Sequence, residues 1–145
     1  MKTLQYRLLF ALCIGIAWLS CALARYGGPG YLMNAAATGA PGEITCSACH
    51  AGGSGGGSLQ LEIVNGPNGY VPGATYTLHA SLQANGAEVG GMQIVTLDGN
   101  SSIGQWIAPS GMRAVTVSTF GNAPRDYLEH SAPQQANSRG RSIGF

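Results

Sequence analysis

The residues with the most chemistry in this chain are Cys46-Ser47-Ala48-Cys49-His50. Two thiols three positions apart, followed at once by His, is the spacing for covalent haem attachment. Each thiol adds to one of two vinyl groups on one edge of the porphyrin, so both sulfurs must span that edge within one turn of chain. The next residue then lies under the iron, where its imidazole binds as the proximal ligand. On this reading Cys46 and Cys49 anchor haem c and His50 ligates the iron.

Three other chemistries use the same residue types. The cysteines can close a small disulfide, which an oxidising compartment permits and which leaves His50 incidental. They can supply ligands of a zinc site, for which Glu43 is the fourth donor near in sequence. They can exchange thiol and disulfide, although such sites open a helix after a strand and no βαβ pattern is present. A sixth iron ligand is unassigned. His79 falls on the polar face of a strand, and His130 shares a face with Leu128 and reads as a hydrogen-bonded structural residue. Met92 and Met112 read as core, which leaves Met33, close to the motif, as the one Met free to reach an iron.

These residues are carried on a chain that begins with a secretory leader. Lys2 and Arg7 precede an apolar run from Leu8 to Leu19, and Ala22-Leu23-Ala24 supplies the small residues of a cleavage site. The expectation is a signal peptide over residues 1–24 and export to the periplasm, cell surface or extracellular space. The run is short for a membrane span, with a retained anchor as the alternative. A lipoprotein site at Cys21 is disfavoured by the bulky Trp18. Cleavage removes Cys13 and Cys21 and leaves five Arg against six acidic residues, with no Lys. No basic stripe calls for nucleic acid or an anionic membrane surface, and no transmembrane helix is expected in the mature chain.

Residues 25–57 read as an irregular lead-in that carries the motif and ends in a Gly/Ser tether, Gly52 to Ser58. Residues 58–145 read as strands. Apolar residues alternate in Leu59 to Val64. In Thr75 to Leu82, Tyr76, Leu78, Ala80 and Leu82 face one way. Gly91 to Leu97 is apolar on both faces, as in a central strand. Arg113 to Thr119 turns Val115 and Val117 inward, and further strands run over Asp126 to His130 and from Ser142. Helical periodicity is absent beyond the leader. Short strands separated by Gly, Pro and Asn turns predict an all-β fold, an antiparallel β-sandwich.

Tyr70-Val71-Pro72-Gly73-Ala74-Thr75-Tyr76-Thr77-Leu78 resembles the Y-x-P-G-x-x-Y-x-V signature of reelin-type (Reeler) domains. Gly91-Met92-Gln93-Ile94-Val95-Thr96-Leu97-Asp98 resembles the G-F-Q-like strand that follows it, with Met92 in place of Phe. Tyr127-Leu128-Glu129-His130-Ser131 resembles the later Y-x-x-H-[ST] segment. Thr38 to Glu43 followed by Thr45 to His50 is similar to the bacterial, exported choice-of-anchor V branch. The resemblance covers residues 38–145. It implies an immunoglobulin-like sandwich with a cell-envelope role and brings no catalytic site. In that family a further segment and a last strand follow the place where this chain stops. The alternating pattern at Ser142-Ile143-Gly144-Phe145 therefore reads as a domain lacking its last strands.

No nucleophile, base and acid come together in sequence, and Asp98 and Asp126 are isolated, so no enzyme is expected. Asn100-Ser101-Ser102 is a glycosylation sequon, meaningful only in a eukaryotic secretory route. Trp106 reads as a core or rim plug. The functional expectation is a monohaem c-type protein for electron transfer or redox sensing, with a redox protein or another surface protein as partner. The alternative is a surface interaction or adhesion module whose cysteines form a structural disulfide.

Overall fold

The computed structural model describes residues 5–7, 10, 12–14, 27–50, 57–64, 66, 69–84, 89–118, 123–135 and 142–144. Residues 5–7, 10 and 12–14 are helical. Among the described residues no helix is long and apolar enough to cross a membrane. The rest is mostly strand in antiparallel sheets with few helices, an all-β chain. It divides into two compact units, one of residues 1–46 and 92–132, the other of residues 47–91 and 133–145.

The first unit carries a five-residue helix, α1 (Pro29–Met33), inside the lead-in expected to be irregular. Local chemistry explains it. Pro29 presets the first helical φ, and Asn34 ends the helix at φ 50°, a left-handed value that Asn tolerates. After a short 3-10 turn (Cys46–Ala48) come the strands β1 (Gly57–Val64), β2 (Thr77–Ala84), β3 (Val89–Gly90), β4 (Gln93–Val95), β5 (Leu97–Asp98) and β6 (Ser101–Ser102). The last four are β7 (Met112–Val117), β8 (Arg125–His130), β9 (Gln134–Gln135) and β10 (Ser142–Gly144).

The sheet of the first unit has the order β4-β8-β7, and a small β5-β6 ribbon belongs to the same unit. The segment expected to be one central strand is two, β4 and β5, with Thr96 between them. There the Thr96 hydroxyl donates to Ile103 O at 2.6 Å, and Ile103 N–H donates back to Thr96 O at 3.0 Å. That local pairing turns the chain out of the larger sheet. Strand β8 sits centrally: on one face Tyr127 and Glu129 are fully buried and Arg125 is 1% exposed, while on the other Leu128 is buried between exposed Asp126 and half-buried His130. Register places Val117 opposite Arg125, Val115 opposite Tyr127 and Gln93 opposite Glu129, so these side chains share one face.

Residues 28–37 lie on that face. Ala36 packs with Val117 and Tyr127, with Val95 and Val115 against them. Gly30 is required there, because a Cβ would stand 2.7 Å from Val115 Cγ2 and 2.9 Å from Glu129 Oε2.

The second unit holds the sheet β1-β2-β10 and the pair β3-β9. Strands β1 and β2 pair over eight residues, from Gly57 opposite Ala84 to Val64 opposite Thr77. Ala80 is buried and Tyr76, Leu78 and Leu82 are half-buried, on the face expected from their alternation. Ile143 of β10 stands opposite Leu82. Before β2 a turn is closed by Ala74 N–H donating to Val71 O at 3.1 Å, with Gly73 at φ 79°. The Tyr76 phenol oxygen accepts from Val71 N–H at 2.6 Å and so clamps the same turn.

Candidate functional site

The residues leading to Cys46 form a closed hairpin. Thr38 and Thr45 make an isolated antiparallel bridge. Gly39 N–H donates to Ile44 O and Glu43 N–H to Ala40 O, each at 2.9 Å. Gly39 and Gly42, at φ 76° and 81°, take the left-handed conformation that two side chains would resist. The Thr38 hydroxyl donates to Glu43 Oε2 at 2.5 Å and accepts from Ala40 N–H at 3.2 Å. Glu43 is thereby folded inward.

Its other oxygen meets β8. Arg125 Nη1 donates to Glu43 Oε1 at 2.6 Å, with the two side chains 1% and 0% exposed. The Tyr127 hydroxyl donates to the same oxygen at 2.6 Å. Arg125 also donates to Pro41 O at 3.0 Å and to Asn100 O at 3.2 and 3.0 Å, so its fork is well occupied. Burial alone raises the Glu43 carboxyl, but the bonds from Thr38, Tyr127 and Arg125 outweigh it and hold the group below its ordinary 4.5. The Glu43 hydrogen bond raises Arg125 above its ordinary value. Burial, and then the bond to Glu43, push the Tyr127 phenol up to about 12. The cluster is a carboxylate, a guanidinium and a neutral phenol at ordinary pH.

A second buried carboxylate fastens the start of the same segment. Glu129 accepts from Gly30 N–H at 2.8 Å and Tyr31 N–H at 2.9 Å, two of the free amides of α1. It also accepts from Gln93 Nε2 at 3.0 Å. Gln93 Nε2 donates in turn to Ala35 O at 3.2 Å, and Gln93 Oε1 accepts from Ala37 N–H at 2.7 Å. Beside α1, the Arg113 guanidinium lies 4.1 Å from the Tyr31 ring centroid and donates to Ser131 O at 3.0 Å.

Cys46 leaves this hairpin at its neck. Its Sγ donates to Ala37 O at 3.4 Å, opposite the point where the hairpin begins. The thiol then opens the 3-10 turn, and Cys49 and His50 follow it. All five residues of the motif are exposed, and Cys46 and Cys49 are free thiols. Glu43, the fourth donor considered for zinc, has both oxygens engaged by Thr38, Arg125 and Tyr127 and so is committed elsewhere. Among the described residues no group of three or more His, Cys, Asp or Glu comes together.

Of the residues weighed as sixth ligands, His130 is held by the Met92 backbone, its Nδ1 3.1 Å from the amide nitrogen and 3.0 Å from the carbonyl oxygen. Met112 is buried in β7 and Met92 is half-buried. His79 is exposed on β2, opposite Glu62. Met33 ends α1 at 50% exposed. Trp106 is half-buried and its indole N–H donates to Asp126 O at 3.1 Å, which fits a rim plug over the opposite face of β8.

The buried Arg125, Tyr127 and Glu129 were not singled out from the sequence as functional. The available signal was their spacing: three polar residues at alternate positions of one strand put them on one face. Comparison with protein-family models, with curated proteins and with solved structures gave no match.

Proposed function

We propose that this chain is an exported, non-enzymatic monohaem c-type protein that passes electrons or senses redox state at the cell envelope. Cys46 and Cys49 hold the haem and His50 is the proximal ligand. The observation that carries the reading is the motif itself, two free and exposed thiols with an exposed His directly after them, one 3-10 turn long. The donor set fits the group. Thioether formation needs thiols free of a disulfide, and the exposed His50 imidazole is the iron donor the motif places beside them. Exposed apolar residues near the neck in sequence, Leu32, Met33 and Ile44, suit a macrocycle better than water. The haem would supply one-electron chemistry; the chain supplies attachment and orientation.

The finer fold belongs to the same proposal, an immunoglobulin-like sandwich of the Reeler kind. Two features support it. The Tyr76 hydroxyl, within the segment that resembles the Y-x-P-G-x-x-Y-x-V signature, closes the turn before β2 on the backbone of Val71. Gln93 and Glu129, which belong to the segments resembling that family, meet each other across paired strands.

The test is spectroscopic. In haem-loaded protein made where maturation enzymes are present, His50→Ala should leave the thioethers and shift the visible spectrum through loss of the axial imidazole. Equal spectra for variant and wild type exclude His50 as the iron ligand. A chain that takes up no haem, with Cys46 joined to Cys49, supports the adhesion module in its place.

A further inference from the structure

One buried contact ties the hairpin that ends at Cys46 to β8. The Arg125 guanidinium reaches the tip of the hairpin at Pro41 O and its returning arm at Glu43 Oε1, while Asn100 O anchors it from the opposite side. Tyr127 adds a second donor to the same carboxylate oxygen. Three residues after Glu43 comes Cys46, whose thiol crosses the neck to Ala37 O. Ala37 is itself tied by its N–H to Gln93 of β4. The hairpin thus has one register on β8, and that register sets where the Cys46 sulfur stands.

We infer that Glu43, Arg125 and Tyr127 are positioning residues for the thiol of Cys46, an inference that rests on reading the motif as a haem-attachment site. A buried ion pair is a poor device for stability alone, because apolar residues of the same volume hold a loop at least as well. Directional bonds add orientation. A guanidinium that must meet a carbonyl, a carboxylate and a second loop at once admits one placement of the hairpin. A hydrophobic plug admits several. The two cysteines are consequently unequal: hairpin closure acts directly on Cys46, and Cys49 lies beyond the turn.

The experiment compares the thiols in the full, haem-free chain by iodoacetamide alkylation, with the modified cysteine located by fragmentation mass spectrometry. Alkylating Cys46 requires giving up its bond to Ala37 O, so Cys49 should react faster by about threefold, the scale of one weak S–H···O bond. Glu43→Gln should bring the two rates together. Leu128→Ala destabilises β8 from its other face and should keep the wild-type ratio even at a similar loss of melting temperature. Tyr127→Phe, which keeps the ion pair, should give an intermediate ratio and serves if Glu43→Gln does not fold. Equal rates in wild type, or a wild-type ratio retained in both Glu43→Gln and Tyr127→Phe, overturn the inference. In cells with maturation enzymes, Glu43→Gln should increase the share of chains in which Cys46 stays open to alkylation. A wild-type chain that takes up no haem defeats the reading of the motif, while the alkylation ratios still decide the positioning.

Discussion

The second unit has the longer paired strands, eight residues each in β1 and β2, yet Leu59, Leu61 and Ile63 on β1 are 53%, 51% and 57% exposed. The first unit has shorter strands, six residues in β7 and β8, and holds every buried hydrophobic side chain among the described residues except that of Ala80. It also holds the buried polar side chains Arg125 and Glu129, and the Glu43 side chain that pairs with Arg125. Regular alternation makes a strand; it does not by itself make a core. Where the chain is most tightly packed, polar side chains on β8 do the fastening, and what they fasten is the segment that ends in the cysteine motif.

The comparison is broken most strongly at Glu43. Glu43→Ala removes one partner of a buried pair and should cost about 3–5 kcal/mol in urea unfolding, because a charge is left buried without compensation. Next comes Gly30→Ala. Its Cβ would meet Val115 and Glu129, which is committed to α1, and about 1–3 kcal/mol is expected for this overpacking.

The third prediction is a pH profile. The Tyr127 phenol is raised in the folded state, so its contribution is intact below its ordinary 10.0 and is lost as pH rises through about 12. Glu43 is lowered, so its contribution is intact above its ordinary 4.5 and is lost as pH falls through the folded value. Tyr127→Phe should flatten the alkaline decline of the urea midpoint and leave an acid-side decline; an unchanged alkaline limb contradicts the role given to this phenol. The smallest effect belongs to the second unit. Leu61→Ala on the exposed face of β1 should cost about 1 kcal/mol or less, since half of that side chain is already in water. A loss matching that of Glu43→Ala would erase the contrast between the units.

The strands were largely legible in the sequence because a two-residue period is a local property. Tyr76, Leu78, Ala80 and Leu82 announce the inner face of β2, and Val117 announces that of β7. The Cys-x-x-Cys-His motif was legible for the same reason, since its spacing is its chemistry. The clasp was not. Glu43 and Arg125 are 82 residues apart, and nothing local to either one names the other. The helix α1 was hidden because a partner far along the chain, Glu129, satisfies its first amides in place of a local cap. The split between β4 and β5 depends on Thr96 meeting Ile103, a pairing that an apolar run does not reveal.

The central claim, that the free thiols at Cys46 and Cys49 carry haem, is tested most directly by intact-mass and absorption measurements on protein expressed in a periplasm with haem-maturation enzymes. The account predicts one haem retained after denaturation, mapped to the peptide containing Cys46 and Cys49, together with a Soret band. A chain without haem whose two thiols have become a disulfide would contradict it.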